Sequence, residues 1–292
     1  MSYNESELKA LVSMVDEPDP EIFSDISGRI INYGQYALPY LEYHLKQADS
    51  DGLRVRLESI MQGIRQEGIF SELERLCRGN DSNELLQAWI CVSRLHYPDI
   101  SEEDIGNSID KIRSDVWLEM NEKLTALEQV KVFNHVFYEL HKFGGNIEDY
   151  HNPDNLLINR VLETKTGNPL SIGILYMAVA RSANLPITGI NLPEHFVLAY
   201  MGETIDTETL QIRDDKALFY INAFSEGAVF SAREINMFLR KLKMEALPEF
   251  FNPCSNRDIV LRMLGNLSIS YAQSGQEEMK EVVESIRERL QG

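Results

Sequence analysis

The sequence predicts a mostly helical α+β protein, and three observations support this fold class. Apolar side chains recur at helical spacing through residues 1–125. Short apolar runs typical of strands follow Pro186, in the order ITGIN, HFVLAY, ETIDTETLQI and ALFYINAF. Helical spacing returns from residue 231 to the end. We therefore expect a central α+β core framed by helices on both sides.

Length and charge narrow the function classes. A chain of 292 residues is long enough to bury a sizeable core and to form two or three subdomains. Its net charge is −18, from 28 basic and 46 acidic residues. Such an acidic surface repels phosphate backbones and anionic lipids unless a basic patch offsets it, and none stands out. We therefore expect neither nucleic acid nor a membrane as a partner.

The three cysteines and the N-terminal sequence favour a cytoplasmic protein. Cys77, Cys91 and Cys254 are odd in number and widely spaced, as expected of reduced thiols. The N-terminus lacks the pattern of a secretory signal, and no apolar run has the length of a membrane-spanning helix. Nothing in the composition indicates a cofactor.

Residues 1–125 predict an N-terminal helical region. Ile22, Ile26 and Ile30 recur every fourth residue and so share one helix face. Further helical patterns follow with short connections, and no single one of these helices can bury its apolar face alone. Paired helices of this kind are typical of a small HEAT-like stack.

Residues 126–250 predict the core. A helix ending at Gly144-Gly145 is followed by LLINRVLETKTG, and Gly167 closes that second helix. Asn168 is positioned to cap the next helix, with Pro169 at its first position, where a missing N–H has no consequence. This helix, PLSIGILYMAVARSAN, is apolar nearly all round, so we expect it to be buried at the centre.

Residues 251–292 predict a C-terminal helical hairpin. Ser231 and Glu234 first form a capping box for the helix AREINMFLRKL, which closes the core. Two helical patterns then follow, separated at Ser274-Gly275.

A histidine and an aspartate in the strand region are candidate site residues. If Met201-Gly202 forms a hairpin turn, Val197 faces Asp206, and His195 shares their side of the sheet. His195 and Asp206 are then diagonal neighbours, within reach of an imidazole–carboxylate hydrogen bond. Such a pair is the second half of a nucleophile–base–orienter triad. The alternative is a purely structural role in which both residues only stabilise the sheet.

The segment FNHVFYELHKFGGNIEDYHNPDNLLINRVLETKTGNPLSIGILYMAVARSANLPITGINLPEHFVLAY resembles the short bacterial branch of the transglutaminase-like superfamily. Members of this branch are of the invasion-regulator B type and carry a tetratricopeptide-like C-terminal helical pair. The resemblance implies a papain-like core, with a buried helix on an antiparallel sheet. It also implies that His195 and Asp206 are triad residues. The catalytic cysteine of the superfamily opens the buried helix, where this chain has Pro169.

Replacement of that cysteine removes the nucleophile. A helix N-terminus favours a thiolate, but proline has no side chain to ionise and no N–H to hold an oxyanion. We therefore predict a pseudoenzyme: a non-catalytic binding or regulatory protein that recognises a protein or peptide. The alternative is a hydrolase or protease-like enzyme in which the His195–Asp206 pair acts on water or on a substitute nucleophile.

Five further side chains near this cleft have candidate roles. Ser171 and Cys254 are possible substitute nucleophiles, although a first-turn hydroxyl bonded to backbone is the simpler account of Ser171. Asn155, Asn168, Ser171 and Glu194 are candidates to line the cleft.

A cluster of His151, Asn152, Asp154 and Asn155 resembles a divalent-metal site. An Asx cap in a turn explains Asn152 and Asp154 without a metal, so we predict no metal site.

Overall fold

Helices dominate the protein, as the apolar spacing predicts. The structure is a computed structural model that describes residues 4–79, 81–121, 123–205 and 212–292. Within this part of the chain there are twelve α-helices, a four-stranded antiparallel sheet and a two-stranded parallel ribbon. The predicted fold class, α+β and mostly helical, is confirmed.

The chain divides into two compact units, Met1–Glu74 and Arg75–Gly292. The helices of the first unit are α1 (Glu5–Ser13), α2 (Pro20–Asn32), α3 (Leu38–Gln47) and most of α4 (Asp51–Leu76). Asp19 caps α2 through two backbone N–H groups, and Pro20 occupies its first position. Ile26 and Ile30 are buried in the apolar core of this unit, whereas Ile22, predicted on the same face, is 47% exposed.

The second unit contains the remaining helices and all the strands. The helices are α5 (Ser82–Ser93), α6 (Glu102–Glu119), α7 (Ala126–Asn134), α8 (Ile158–Thr164), α9 (Pro169–Ser182), α10 (Ala232–Lys241), α11 (Asn256–Gln273) and α12 (Glu277–Gln291). The strands are β1 (Gly144–Gly145), β2 (Thr166–Gly167), β3 (Ile187–Asn191), β4 (Phe196–Ile205), β5 (Ile212–Asn222) and β6 (Ala228–Phe230). Strand β1 pairs with β2, and the larger sheet has the order β3-β4-β5-β6.

Helix α9 is the buried centre of this unit, as predicted. Ten of its 14 residues are buried, so no face remains for solvent. It approaches the sheet closely at Gly173, where a Cβ atom would lie 2.8 Å from the ring of Phe196 and 3.7 Å from Leu198. The small residue therefore lets the helix and β4 pack tightly.

The two faces of the sheet carry different helices. Side chains alternate along β4, so Phe196 and Leu198 point towards α9. Val197 and Ala199 point the other way, into an apolar cluster that contains Ile235 and Leu239 of α10 and Phe250. The sheet is thus covered by α9 on one side and by α10 on the other.

The hairpin turn predicted at Met201-Gly202 is wrong. Strand β4 continues to Ile205, and Met201 and Gly202 pair with Ala217 and Lys216 of β5. A register shift leaves Leu218 as an extra residue on β5, and a Cβ atom on Gly202 would lie 2.7 Å from its side chain. Gly202 therefore makes room for a β-bulge instead of forming a turn.

Two predicted helix features after the sheet are confirmed. The Glu234 carboxylate accepts a hydrogen bond from the backbone N–H of Ser231 at 2.8 Å, which is half of the capping box of α10. Helices α11 and α12 form the C-terminal hairpin, and Gly275 connects them with a φ of 72°. The Ser268 hydroxyl donates to the Glu284 carboxylate across the hairpin.

The domain boundaries expected from the sequence, near residues 125/126 and 250/251, stay a prediction. Among the described residues, no helix combines the length and apolarity that crossing a membrane requires.

Candidate functional site

A cavity of about 110 Å³ lies where the N-terminal end of α9 meets β4, the loop before α8, and helix α11. Its lining combines neutral, acidic and basic side chains: Tyr150, His151, Asn168, Pro169, Leu170, Glu194, Phe196, Arg262, Asn266, Ile269 and Ser270. The resemblance to the transglutaminase-like superfamily implies that the catalytic cysteine would lie at this same end of the buried helix. We take this cavity, called here the Pro169 cavity, as the candidate site.

The start of α9 is held by a reciprocal cap. The Asn168 side-chain oxygen accepts from the Ser171 backbone N–H, and the Ser171 hydroxyl oxygen accepts from the Asn168 backbone N–H, both at 2.9 Å. The Ser171 hydroxyl donates to the backbone oxygen of Asn155, and Ser171 is fully buried. The hydroxyl is therefore committed to backbone groups, and Ser171 does not line the Pro169 cavity.

Asn155 holds the loop that forms one wall of the cavity. It is 3% exposed, and its amide nitrogen donates to the backbone oxygens of Asp149 and Tyr150. Its side-chain oxygen accepts from the Asn146 amide at 2.9 Å. Asn155 thus sets the position of Tyr150 without lining the cavity itself, whereas two other predicted cleft residues, Asn168 and Glu194, do line it.

Arg262 of α11 brings a positive charge to the Pro169 cavity. Its Nη1 donates to the backbone oxygen of Leu192 at 2.7 Å and to the side-chain oxygen of Asn191. Burial lowers the pKa of its guanidinium, because desolvation disfavours the charged form. In the described part of the chain, no carboxylate forms an ion pair with Arg262. Sequence reasoning missed this residue, since only the packing of α11 brings it to the end of β3 and the loop that follows.

Glu194 lines the same cavity and has a strained backbone conformation. Its φ is 60°, a left-handed conformation that is uncommon for residues other than glycine. The side chain is exposed and lines the cavity next to Phe196.

His195 points away from the Pro169 cavity. Its imidazole is exposed and lies edge-on to the ring of Phe238 in α10, with 4.8 Å between ring centroids. Its backbone N–H donates to the Leu192 oxygen at 3.2 Å. It thus lies on the sheet side that α10 covers, and it is not among the lining residues. Asp206 lies outside the described residues, so the triad roles of both residues stay predictions.

Cys254 contributes to a different, smaller cavity. Its thiol donates to the backbone oxygen of Gly189 at 3.2 Å, and it lines a space of about 60 Å³ together with Met177 and Ile259. Burial raises the pKa of the Cys254 thiol to about 12, so it stays protonated at neutral pH. A protonated thiol outside the Pro169 cavity is a poor substitute nucleophile for that site.

One close imidazole–carboxylate pair lies elsewhere in the second unit. The Nε2 atom of His141 is 2.8 Å from a carboxylate oxygen of Asp115, and the imidazole is 10% exposed. The ring stacks on Phe143 with 6.5 Å between centroids. The pair ties α6 to the end of the helical run after α7. No sequence motif predicts this pair, because His141 and Asp115 lie 26 residues apart on different elements.

The predicted Asx cap is confirmed in the loop next to the cavity. The Asn152 side-chain oxygen accepts from the Asp154 backbone N–H at 2.9 Å. The Asp154 carboxylate accepts from the Tyr97 hydroxyl at 3.0 Å and from Arg160 Nε at 2.9 Å. Both residues therefore have roles in the loop itself. The part of the chain that the structure describes contains no group of three metal-binding side chains.

Comparisons with known proteins agree with this architecture. The chain is similar to human F-box only protein 21, with 28% identity over 236 residues, which is 72% of this chain and 36% of that protein. It is also similar to a UPF0162 protein of Xylella fastidiosa strain 9a5c, with 26% identity over 200 residues, covering 65% of this chain and 66% of that protein. This chain thus spans about a third of F-box only protein 21. No solved structure matches.

A family model described as transglutaminase-like superfamily matches residues 103–265, which include α9, the sheet and most of the Pro169 cavity. This match covers more than half of the sequence, and the chain belongs to the transglutaminase-like superfamily.

Proposed function

We propose that this protein is a non-catalytic member of its superfamily that binds a protein or peptide segment at the Pro169 cavity. The observation that carries the proposal is Pro169 itself. It occupies the first position of α9 and lines the cavity, at the point where the resemblance to the superfamily expects the nucleophilic cysteine.

Physical chemistry supports the loss of thiol-type catalysis. Proline offers neither a nucleophile nor an N–H for an oxyanion. The two side chains considered as substitutes are engaged elsewhere: Ser171 caps α9, and Cys254 bonds Gly189. His195 contacts Phe238 and not the cavity, so the alternative of a His195–Asp206 hydrolase gains no support from the described geometry.

A peptide or protein ligand fits the surroundings of the cavity. Its walls come from a loop, a strand start and two helices, so an extended segment is able to contact several elements at once. The net charge of −18 argues against nucleic acid and anionic membranes as ligands. These features support a cytoplasmic protein with a protein partner.

We also infer that the chain represents the invasion-regulator B type branch and that α11 and α12 are a tetratricopeptide-like pair. The similarity to the Xylella fastidiosa UPF0162 protein supports a bacterial-type relative of comparable extent. The antiparallel pairing of α11 with α12 supports the second inference.

An activity and binding assay on the full chain tests the proposal. Wild type and Pro169→Cys are incubated with glutamine-containing peptides, a primary amine and a protease substrate. They are also screened against an array of N-acetylated peptides. We expect no turnover by the wild type and array binding that Pro169→Cys leaves nearly unchanged.

Pro20→Cys is the matched control, because Pro20 occupies the first position of α2 in the other unit. Turnover by the wild-type protein that His195→Ala abolishes contradicts the proposal. So does an array on which no peptide binds the wild-type protein.

A further inference from the structure

The Pro169 cavity contains a cation without an acidic partner. The guanidinium of Arg262 donates through Nη1 to two neutral oxygens, those of Leu192 and Asn191. Within the described ranges no acceptor is bonded to its Nε or Nη2 atoms, and no carboxylate pairs with it. A partly desolvated charge that faces only neutral dipoles is less stable than one with a counter-ion. The site is therefore electrostatically complementary to an anionic group.

The cavity lining suits a carboxylate better than a phosphate. Glu194 lines the same cavity, and the whole chain carries a net charge of −18. A dianion would meet this repulsion with only one arginine to offset it, whereas a monoanion meets about half as much. A guanidinium presents parallel N–H donors that match the two oxygens of a carboxylate.

The size of the cavity sets how much of the ligand is enclosed. A volume of about 110 Å³ holds about three or four water molecules at about 30 Å³ each. That space accommodates a carboxylate with one or two attached carbons, while the rest of a ligand extends outward. Leu170 and Phe196 are buried apolar residues of the lining, which suits the attached carbons.

We propose that Arg262 anchors a carboxylate of the bound segment in the Pro169 cavity, beside the end of β3. This inference rests on the proposed binding function and specifies the ligand chemistry of the same site. Helix α11 supplies the anchoring charge, so the C-terminal hairpin is part of the binding site. The carboxylate comes from a peptide C-terminus or from an acidic side chain.

Three small probes separate these sources. N-acetylglycine carries a main-chain carboxylate, aspartate blocked at both backbone ends carries a side-chain carboxylate, and N-acetylglycinamide carries none. Each is titrated into the full-length protein, and the NMR signals of the arginine Nε–H groups report binding. We expect saturable shifts with at least one of the two acids and at least tenfold weaker binding of the amide.

Variants then assign the effect to one residue. We expect Arg262→Gln to weaken binding of the acid at least tenfold and Arg262→Lys to weaken it less, since lysine keeps the charge. Arg181→Gln is the matched control, because Arg181 lies on α9 away from this cavity and forms no ion pair within the described ranges. The comparison of acid with amide on the wild type needs no variant, so it holds even if Arg262→Gln fails to fold.

The outcomes separate the two proposals. Equal binding of acid and amide, no binding of either acid, or unchanged binding by folded Arg262→Gln overturns the role of Arg262. If peptides of the array still bind at the Pro169 cavity after any of these three results, the proposed binding function is unaffected. Carboxylate binding that depends on Arg262, combined with turnover of peptide substrates, supports the anchor and contradicts the non-catalytic function.

Discussion

The backbone N–H of Asn168 and the hydroxyl oxygen of Ser171 lie 2.9 Å apart, and the same two residues are joined a second time by a bond of equal length in the opposite sense. The hydroxyl also donates to the Asn155 backbone oxygen, which connects the start of α9 to the loop beside the cavity. A serine that looks like a candidate nucleophile by its position in the helix thus holds the helix start in place.

This arrangement predicts a stability effect for Ser171→Ala. The change removes the hydroxyl that bonds the Asn168 N–H and the Asn155 carbonyl oxygen, and these two buried groups then keep only their 3.2 Å bond to each other. We therefore expect a loss of about 1–2 kcal/mol in the free energy of unfolding. Urea denaturation followed by circular dichroism measures it. The control is Ser114→Ala, an exposed serine in α6 whose hydroxyl donates to the Asp110 carbonyl oxygen. Equal effects at both positions would contradict the capping role.

The close contact at Gly173 predicts that alanine is destabilising there. A Cβ atom would lie 2.8 Å from the Phe196 ring, which is itself packed between α9 and β3. Overpacking of this kind costs about 1–3 kcal/mol and outweighs the gain in helix propensity. Because Phe196 lines the Pro169 cavity, Gly173→Ala also weakens ligand binding.

Gly106→Ala is the matched control for that change. Gly106 lies in α6 with nothing within 4 Å of its would-be Cβ, so alanine there stabilises the protein by about 0.5–1 kcal/mol. Thermal unfolding of Gly173→Ala and Gly106→Ala, each compared with the wild type, measures both changes in stability. A stabilised Gly173→Ala variant would show that Phe196 has room to move.

The raised pKa of the Cys254 thiol predicts slow alkylation. Its pKa lies near 12 in the folded protein, above the ordinary thiol value, so the thiolate fraction at pH 8 falls well below that of an unperturbed cysteine. We expect iodoacetamide to modify Cys254 slowly at pH 8 and faster as pH rises towards 12. Mass spectrometry of the native and urea-unfolded protein measures the rates. Equal rates in both states would rule out the burial of this thiol.

We expect the loss of the His141 imidazole, which is paired with Asp115, to destabilise the protein more than the loss of an exposed histidine. Removing the imidazole leaves a partly buried carboxylate without its hydrogen bond, so His141→Ala destabilises the protein by about 1–3 kcal/mol. His135 is the comparison, because its imidazole contacts Glu139 on the same helical run and is 53% exposed. We expect His135→Ala to change the unfolding midpoint little. Urea denaturation curves of both variants in the same buffer measure the two changes in the free energy of unfolding.

Local signals at α9 were sufficient to predict its start and its burial. Asn168 and Pro169 are residue types with a direct backbone reason for their positions, and a helix that is apolar nearly all round is expected to be buried. The resemblance to the superfamily predicted an α+β core, which the fold and the family match confirm.

The sheet register was not predictable from local pattern. A glycine after a strand-like run is typical of a turn, yet Gly202 lies inside β4 because Leu218 of the neighbouring strand needs its space. His195 lies on the same side as Val197, as alternation along the strand predicts, but its contact with Phe238 depends on the tertiary packing of α10. Arg262 was missed for a related reason, since its place at the cavity depends on tertiary packing of a helix 70 residues further along the chain than Leu192.

Because α11 lines the Pro169 cavity, truncation of the protein within this helix alters the cavity. The family match stops at residue 265, part-way along that helix and just before Asn266 and Ser270. A fragment trimmed to the matched segment would keep the proline and the sheet but lose one wall of the pocket. Ligand searches with such a fragment would then sample a shallower cavity than the one in the intact chain.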